Sequence, residues 1–441
     1  SNCPSQHHPL PRAEVCAAAA RAVDLVTQRG RSLSQAVIQP LAGLDPARHA
    51  EAREIIWGTI RWYHRYQPLI KELLLRPLAK KNRILESVLV CAFYQFEFLS
   101  APDFAVTSGS VAACKQLNRP AHCALINALL REHLRRGAHQ RLGTNYCSAT
   151  PDWLLEEMRV SWPQAWQQIA SASNDRPPLT LRVNRQRIAR DDYITQLCRQ
   201  GISASISPLS PTALTLTQAC SVDRIPGFTQ GLVSVQDAAA QLAPCFIGRV
   251  SGLRVLDACA APGGKACQLL EANPDIAELW ALDLPARMPL IQENLDRLGL
   301  QAVVIGGDAR HPDTWWDGQT FDAIMIDAPC SGTGIIRRQP DIRINRRPSD
   351  LSSSKALQGK LLTALWQLLK PGGRLLYITC SVLMEENDAV VGAFLNRQAD
   401  AHVITIEAAF GQATRFGWQL LPGEGGGDGF YFARLDRNPT S

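Results

Sequence analysis

Apolar residues recur at helical spacing through the first third of the chain. They do so in segments 14–28, 51–75, 83–99 and 121–134, and Pro77, Pro102 and Pro120 fall between these segments. A period of three to four residues predicts amphipathic helices, and proline commonly marks a helix end. We therefore expect residues 1–140 to form an all-α bundle, with a polar break at 139–145 near its end.

The pattern becomes mixed between residues 141 and 235. Amphipathic segments at 153–170 and 191–200 predict helices, whereas short apolar or alternating runs at 179–183, 213–216 and 231–235 predict strands. We expect this stretch to form a small α+β module that links two larger domains.

Residues 236–441 repeat a rhythm of strand, loop and helix. Strands are predicted at 254–256, 279–282, 302–305, 323–326 and 374–378, and helices at 265–271, 286–298 and 353–369. Such alternation is typical of a mostly parallel sheet covered by helices on both faces. The sequence thus predicts a multidomain protein that ends in an α/β domain.

A polar or reactive side chain stands at or just after the carboxyl end of every one of these predicted strands: Asp257, Asp283, Asp308, Asp327 and Cys380. Open α/β sheets bind ligands at the carboxyl ends of their strands, so we expect these residues to share a site. A cysteine in that position is a candidate nucleophile.

The loop after the first strand predicts a cofactor cradle. Its small residues and glycines let a ligand approach the backbone, and the following helix offers free N–H groups. The loop matches neither the dinucleotide fingerprint nor the triphosphate loop. We expect S-adenosylmethionine, with Asp283 accepting from its ribose and Asp308 from its adenine.

Three motifs in this region resemble those of the RNA cytosine-5 methyltransferase family. They are Asp-x-Cys-Ala-Ala-Pro-Gly-Gly-Lys at 257–265, Asp-Ala-Pro-Cys-Ser-Gly-x-Gly at 327–334, and Tyr-x-Thr-Cys-Ser at 377–381 with a following Glu-Glu-Asn. The helical front domain resembles NusB-type antitermination factors. The combination is similar to the bacterial family members that act on 16S ribosomal RNA. The resemblance implies a Rossmann-like class I methyltransferase domain that uses S-adenosylmethionine. By the family pattern, the cofactor site also includes Asp283, Asp308 and Asp327, and its loop consists of Cys259, Ala260, Ala261, Pro262, Gly263, Gly264 and Lys265.

The resemblance also implies catalytic roles. Cys380 matches the family's nucleophile, which adds to carbon 6 of cytosine, and Cys330 matches the cysteine that assists release. Asp327 would hold the methionyl part or the cytosine edge, and Lys265 would help to place the base or the cofactor. Chemistry alone does not decide which cysteine attacks; the family pattern favours Cys380.

A run of arginines follows the second motif and predicts a grip on RNA phosphates. A solvated loop is the alternative. The predicted substrate-binding residues are Arg337, Arg338, Arg343, Arg346 and Arg347.

The amino-acid composition restricts the class of protein but does not indicate a particular function. The chain has 46% hydrophobic and 20% charged residues and a formal net charge of +6, which is typical of a globular protein and only weakly indicates a polyanionic partner. Its 13 cysteines include no Cys-x-x-Cys pair, so we expect free thiols, a reducing compartment and no bound metal. No signal peptide or transmembrane run is evident, which predicts a cytoplasmic protein.

We expect a monomer that methylates 16S rRNA or an early small-subunit particle and has no membrane partner. The same chemistry on transfer RNA or another ribosomal site is one alternative. A non-catalytic RNA-binding protein of the antitermination type is another, but the complete set of site residues argues against it. An oxidoreductase would need the absent glycine fingerprint.

Overall fold

The structure, a computed structural model, describes residues 13–137 and 149–439. Within these ranges the chain forms two compact units. The first contains the residues up to 159 together with 164–175 and 336–346, and the second contains 160–163, 176–335 and the residues from 347 onward. The polar break at 139–145 lies outside the described residues.

The first unit is built from helices, as its periodicity predicts. Helix Asp103–Gln116 is not evident from the sequence, because small and polar residues such as Ser108 and Gly109 interrupt its apolar stripe. Its helices within residues 13–137 are Ala13–Thr27, Leu33–Ala36, Ile38–Ala42, His49–Leu73, Ile84–Phe98, Asp103–Gln116 and Cys123–Arg136.

Residues 336–346 lie within the predicted α/β domain of residues 236–441, but in the structure they belong to this helical unit. They include the short helix Ile342–Asn345. Arg61 donates to the Arg337 carbonyl (3.0 Å), and the His64 ring nitrogen Nε2 donates to the Arg343 carbonyl (3.0 Å). The Leu33 amide donates to the Asp341 carboxylate (3.0 Å). The segment is therefore held by hydrogen bonds from several helical positions.

The single helix predicted at 153–170 is wrong. The structure has two helices, Asp152–Ser161 and Trp166–Ala172. Pro163 lies in the gap between them. Proline has no N–H to donate and disfavours helical backbone at the preceding residue, so the chain breaks there.

The second unit begins with a small antiparallel sheet. Its strands are β1 (Leu179–Val183), β2 (Ala204–Ile206), β3 (Ala213–Leu216) and β4 (Val233–Val235). Their order in the sheet is β2-β3-β1-β4. Tyr193 and Leu197, on helix Arg190–Arg199, are buried against the strand residues Leu181, Val183 and Leu214. Strand β2 is short and mostly exposed, which explains why its sequence gives no clear signal.

A larger mixed sheet carries the predicted strand ends. Its strands are β5 (Arg254–Ala258), β6 (Glu278–Asp283), β7 (Val303–Gly306), β8 (Phe321–Asp327), β9 (Leu369–Thr379), β10 (Ala401–Ile404), β11 (Gln412–Ala413), β12 (Trp418–Leu420) and β13 (Phe430–Arg437). Their main order in the sheet is β11-β12-β13-β9-β8-β5-β6-β7, and β10 pairs with β13. The helices of this region are Ala243–Ile247, Gly264–Ala272, Met288–Leu298, Pro348–Trp366 and Asp388–Leu395.

The parallel part of this sheet, β7-β6-β5-β8-β9, confirms the prediction. The antiparallel strands β10 to β13 that extend it are not evident from the sequence. Alternate residues of β8 enter different cores: Ala323 and Met325 lie on one face, and Ile324 and Ile326 on the other. Burial on both faces explains the continuous apolar runs of the central strands.

The strand order reverses between β5 and β8. From β5 the chain proceeds outward to β6 and β7, then returns to β8 on the other side. The carboxyl ends of β5 and β8 therefore border the crevice where doubly wound sheets bind ligands. In the described part of the chain, no helix is both long enough and apolar enough to span a membrane.

Candidate active site

The sheet brings the predicted strand-end residues to one edge. Asp283 and Asp327 are the last residues of β6 and β8, Asp257 is the last but one of β5, and Cys380 directly follows β9. Asp308 follows the end of β7. All five belong to the second unit. The arrangement results from parallel pairing, which aligns carboxyl ends.

The loop after β5 is shaped by local backbone requirements. Cys259 and Gly263 have φ angles of 60° and 99°, in the left-handed region. The Ala261 amide donates to Asp283 Oδ2 (2.8 Å), and Arg182 donates to the Gly264 carbonyl (2.7 Å). The loop is thus held by β6 on one side and by the small sheet on the other.

A cavity of about 140 Å³ opens beside this loop. Asp283 and Asp308 line it together with the apolar side chains of Leu357 and Leu361. Carboxylates suit ribose hydroxyls and an adenine amino group, and apolar surfaces suit the faces of a purine ring. The residues present therefore fit the adenosine part of S-adenosylmethionine.

The two carboxylates of this cavity are held differently. Asp283 is buried and accepts from the Leu284 amide (2.8 Å) in addition to that of Ala261. Asp308 is paired with the Arg310 guanidinium (2.5 Å), whose hydrogen bonds lower the pKa of Asp308 to about 2. Both carboxylates keep further lone pairs for a ligand. Their predicted cofactor contacts remain predictions.

Lys265 and Asp327 form an ion pair where the strand order reverses between β5 and β8. Lys265 Nζ lies 2.6 Å from Asp327 Oδ2 and 5.5 Å from the centre of the Phe430 ring. Burial alone would lower the pKa of the Lys265 ammonium, but the Asp327 charge raises it above its ordinary value. Lys265 is therefore a fixed positive charge at neutral pH and not a proton acceptor.

The two motif cysteines are neighbours. Cys330 Sγ lies 3.4 Å from Cys380 Sγ, and both residues are partly exposed. The Gly334 amide donates to the Cys380 carbonyl (2.8 Å), which ties the two cysteine-bearing loops together. A Cβ on Gly334 would lie 2.1 Å from the Gly429 carbonyl oxygen, so only glycine fits this approach.

Hydrogen bonding to Cys380, together with burial, raises the pKa of Cys330 well above its ordinary value. The proton therefore stays on Cys330, whose S–H is placed to donate to the Cys380 sulfur. Cys259 and Cys267, which we do not expect to be nucleophiles, also have raised pKa values because of burial; that of Cys267 is about 12.

A buried polar network below the cysteines was not identified as functional from the sequence. Glu386 accepts from Ser331 and Ser381, the residues that follow the two cysteines. Asn387 donates to the Ser381 carbonyl (3.0 Å) and accepts from Thr379 (2.6 Å). In the sequence, the Glu-Glu-Asn triplet after the third motif could have indicated that these residues belong to the site.

The five arginines predicted to bind RNA phosphates differ in how far they are buried. Arg337 and Arg343 are 4% and 1% exposed and lie within the helical unit, where Arg343 donates to the Arg61 carbonyl (3.1 Å). In this structure neither can reach an RNA phosphate. Arg338 is partly exposed, and Arg346 and Arg347 are exposed, so the phosphate prediction is kept for these three.

Among residues 13–137 and 149–439, no group of three or more histidine, cysteine or acidic side chains is arranged to hold a metal ion. The fold and the site define a Rossmann-like methyltransferase domain preceded by a helical domain. The crystal structure of PH0851 has a similar fold: it superposes with a TM-score of 0.81 over 96% of this chain and 99% of that one, at 23% identity.

The chain belongs to the 16S rRNA methyltransferase RsmB/F family. Residues 247–436 match the family described as 16S rRNA methyltransferase RsmB/F, residues 150–223 match its ferredoxin-like domain, and residues 14–135 match the NusB family. These matches confirm the resemblance and the fold class predicted from the motifs.

Full-length relatives support the same assignment. The Ribosomal RNA small subunit methyltransferase B of Pseudomonas putida is 41% identical, covering 95% of this chain and 97% of the relative. The protein of the same name in Vibrio cholerae is 41% identical over 96% and 97%. The chain thus has the family and the fold of an S-adenosylmethionine-dependent ribosomal RNA methyltransferase.

Proposed function

We propose that this protein methylates carbon 5 of a cytosine in 16S ribosomal RNA through a covalent bond between Cys380 and the base. The observation that carries the proposal is the pair of thiols 3.4 Å apart at the ends of adjacent parallel strands. Methylation of an amino group or a ribose hydroxyl needs no thiol. Two thiols beside a methyl-donor site fit a reaction that needs a covalent nucleophile.

The chemistry explains why a nucleophile is required. Carbon 5 of cytosine is a poor nucleophile until the Cys380 thiolate adds to carbon 6, which makes the ring enamine-like. Bound S-adenosylmethionine would supply the methyl group that carbon 5 attacks, and S-adenosylhomocysteine would be the leaving group. Loss of the carbon-5 proton and cleavage of the bond between carbon 6 and sulfur restore the aromatic ring and the free Cys380.

The protonation of the cysteine pair supports attack by Cys380. Because the pKa of Cys330 is raised, Cys330 retains its proton and can donate a hydrogen bond to a Cys380 thiolate. Such a donor stabilises the attacking charge before addition. The same proximity places Cys330 to assist when the product separates from Cys380.

Asp327 and Lys265 have positioning and electrostatic roles in this proposal. Asp327 is directed by its ion pair with Lys265 and is 31% exposed, so it can also accept from the cytosine amino edge or from the methionyl amine. The positive charge of Lys265 would remain close to the base throughout. Arg338, Arg346 and Arg347 would contact phosphates of the RNA.

Bisulfite sequencing of total RNA from cells with and without this protein tests the proposal. We expect one or a few protected cytosines in 16S rRNA that lose protection in the deletion strain and regain it with the wild-type gene. Protection lost only in transfer RNA or 23S rRNA would favour the alternative substrate. An unchanged cytosine pattern would contradict carbon-5 chemistry.

A further inference from the structure

Glu386 is a fully buried carboxylate that joins the two cysteine loops. It is 0% exposed and lies between β9 and helix Asp388–Leu395. Its Oε1 accepts from the Ser331 amide (2.8 Å), and its Oε2 accepts from the hydroxyls of Ser331 (2.5 Å) and Ser381 (2.6 Å). Ser331 and Ser381 each directly follow a motif cysteine.

A second connection supports the same loop. Gln358, also 0% exposed, donates from Nε2 to the Pro329 carbonyl (2.9 Å) and to Glu386 Oε1 (3.2 Å). The backbone of Glu386 is itself held, because the Tyr377 hydroxyl donates to its carbonyl (2.8 Å). The residues on both sides of Cys330 are therefore linked to Glu386: Ser331 directly, and Pro329 through Gln358.

We propose that Glu386 is a positioning residue that sets the separation of Cys330 and Cys380. The inference rests on the proposed function for its catalytic meaning, but the geometry it describes is independent of the substrate. A carboxylate is suited to this place because it only accepts hydrogen bonds and can take several at once. In a buried site, loss of such an acceptor leaves its donors unsatisfied, so the loops would rearrange.

The neighbouring Glu385 provides a matched control. Its side chain is 55% exposed and pairs with Lys355 (2.5 Å) at the surface. An exposed ion pair of this kind contributes little to structure. Removing Glu385 changes the same formal charge one position away without touching either cysteine loop.

The test uses dibromobimane, which becomes fluorescent when it bridges two thiols. Wild-type protein should be bridged between Cys330 and Cys380, and a Cys330→Ser variant identifies the signal. We expect Glu386→Ala to slow bridging by about tenfold or more, the factor that corresponds to ~1.4 kcal/mol. Glu386→Gln and Ser381→Ala should slow it less while remaining folded, and Glu385→Ala should match the wild type.

Single-turnover assays connect geometry to rate. In Glu386→Gln, the rate of covalent adduct formation should fall with the bridging rate, while the Kd for S-adenosylmethionine stays near the wild-type value. Because Glu386 acts on Ser381, adding Ser381→Ala to Glu386→Ala should cause little further loss.

Folded Glu386→Gln and Ser381→Ala proteins that bridge at the wild-type rate would overturn the inference. Failure of the proposed function would give a different experimental result from failure of this inference. In that case wild-type protein would still be bridged, bridging would still depend on Glu386, and no 5-methylcytosine would form.

Discussion

Cys330 Sγ lies 3.4 Å from Cys380 Sγ, with the two residues just beyond the ends of the paired strands β8 and β9. Hydrogen bonding to Cys380 is the largest cause of the raised pKa of Cys330. Removing Cys380 should therefore change the acidity of Cys330.

Cys380→Ala should lower the pKa of Cys330 toward that of an ordinary thiol. The measurement is the rate of Cys330 alkylation by iodoacetamide against pH, followed by peptide mass spectrometry. In the wild type, Cys330 should react slowly until the pH is well above 9. In the variant the profile should shift to lower pH. The same profile in both proteins would show that Cys380 does not hold the proton on Cys330.

Asp283→Asn should weaken binding of S-adenosylmethionine more than binding of RNA. The carboxylate accepts from the Ala261 and Leu284 amides, so its loss disturbs the cofactor loop as well as a predicted ribose contact. We expect the Kd measured by calorimetry to rise about tenfold or more, as for the loss of one strong hydrogen bond.

The control for this substitution is Asp275→Asn, which removes a side chain that is 59% exposed and paired only loosely with Arg249 (3.9 Å). It should leave both affinities unchanged. Unchanged cofactor affinity in Asp283→Asn would rule out the predicted role of this carboxylate.

Lys265 and Asp327 should be energetically coupled. In a double-mutant cycle of Lys265→Met and Asp327→Asn, we expect a coupling free energy of roughly 1–3 kcal/mol from urea denaturation, since the pair is largely enclosed. The exposed pair Arg159–Glu156 should give roughly 0–1 kcal/mol. Additive effects of Lys265→Met and Asp327→Asn would mean that their contact is not maintained in solution.

Asp257→Asn should change how stability depends on pH. Burial, with smaller effects from Asp327 and other charges, raises the pKa of Asp257 well above its ordinary value. The folded protein thus keeps a proton that the unfolded chain loses above about pH 4, so this group destabilises the fold progressively as the pH rises toward its folded pKa.

Asparagine carries no such proton. The free energy of unfolding of Asp257→Asn, minus that of the wild type, should therefore increase from pH 5 to pH 8, by up to ~1.4 kcal/mol per pH unit. Urea denaturation at each pH measures it. Parallel profiles for the two proteins would show that Asp257 is ionised in the folded state.

The strand-end residues were predictable because hydrophobic periodicity locates strands and parallel pairing aligns their ends. Asp257, Asp327 and Cys380 reach the same edge for that reason alone. The antiparallel strands β10 to β13 were harder to predict, since most are short and their runs contain polar residues such as Gln419. β13 pairs with β9, β10 and β12 pair with β13, and β11 pairs with β12, and local sequence does not reveal these contacts.

Two features of the site depend on contacts between residues that are far apart in sequence. Glu386 follows an equally acidic Glu385, and only the structure distinguishes the buried carboxylate from the exposed one. Arg343 belongs to a charged run that indicates a surface loop, but its guanidinium is buried against the Arg61 carbonyl. Charge pattern predicts average exposure and does not identify the exceptions.

The most direct measurement is the isolation of a covalent protein–RNA complex from two variants. Cys330→Ala, incubated with 16S rRNA and S-adenosylmethionine, should accumulate an adduct that migrates slowly in denaturing gels. After nuclease and protease digestion, mass spectrometry should locate a methylated cytidine on Cys380. Cys380→Ala should form no adduct and lose activity by roughly 10³-fold or more, as expected for a missing nucleophile. An adduct in Cys380→Ala that maps to Cys330 would contradict the account.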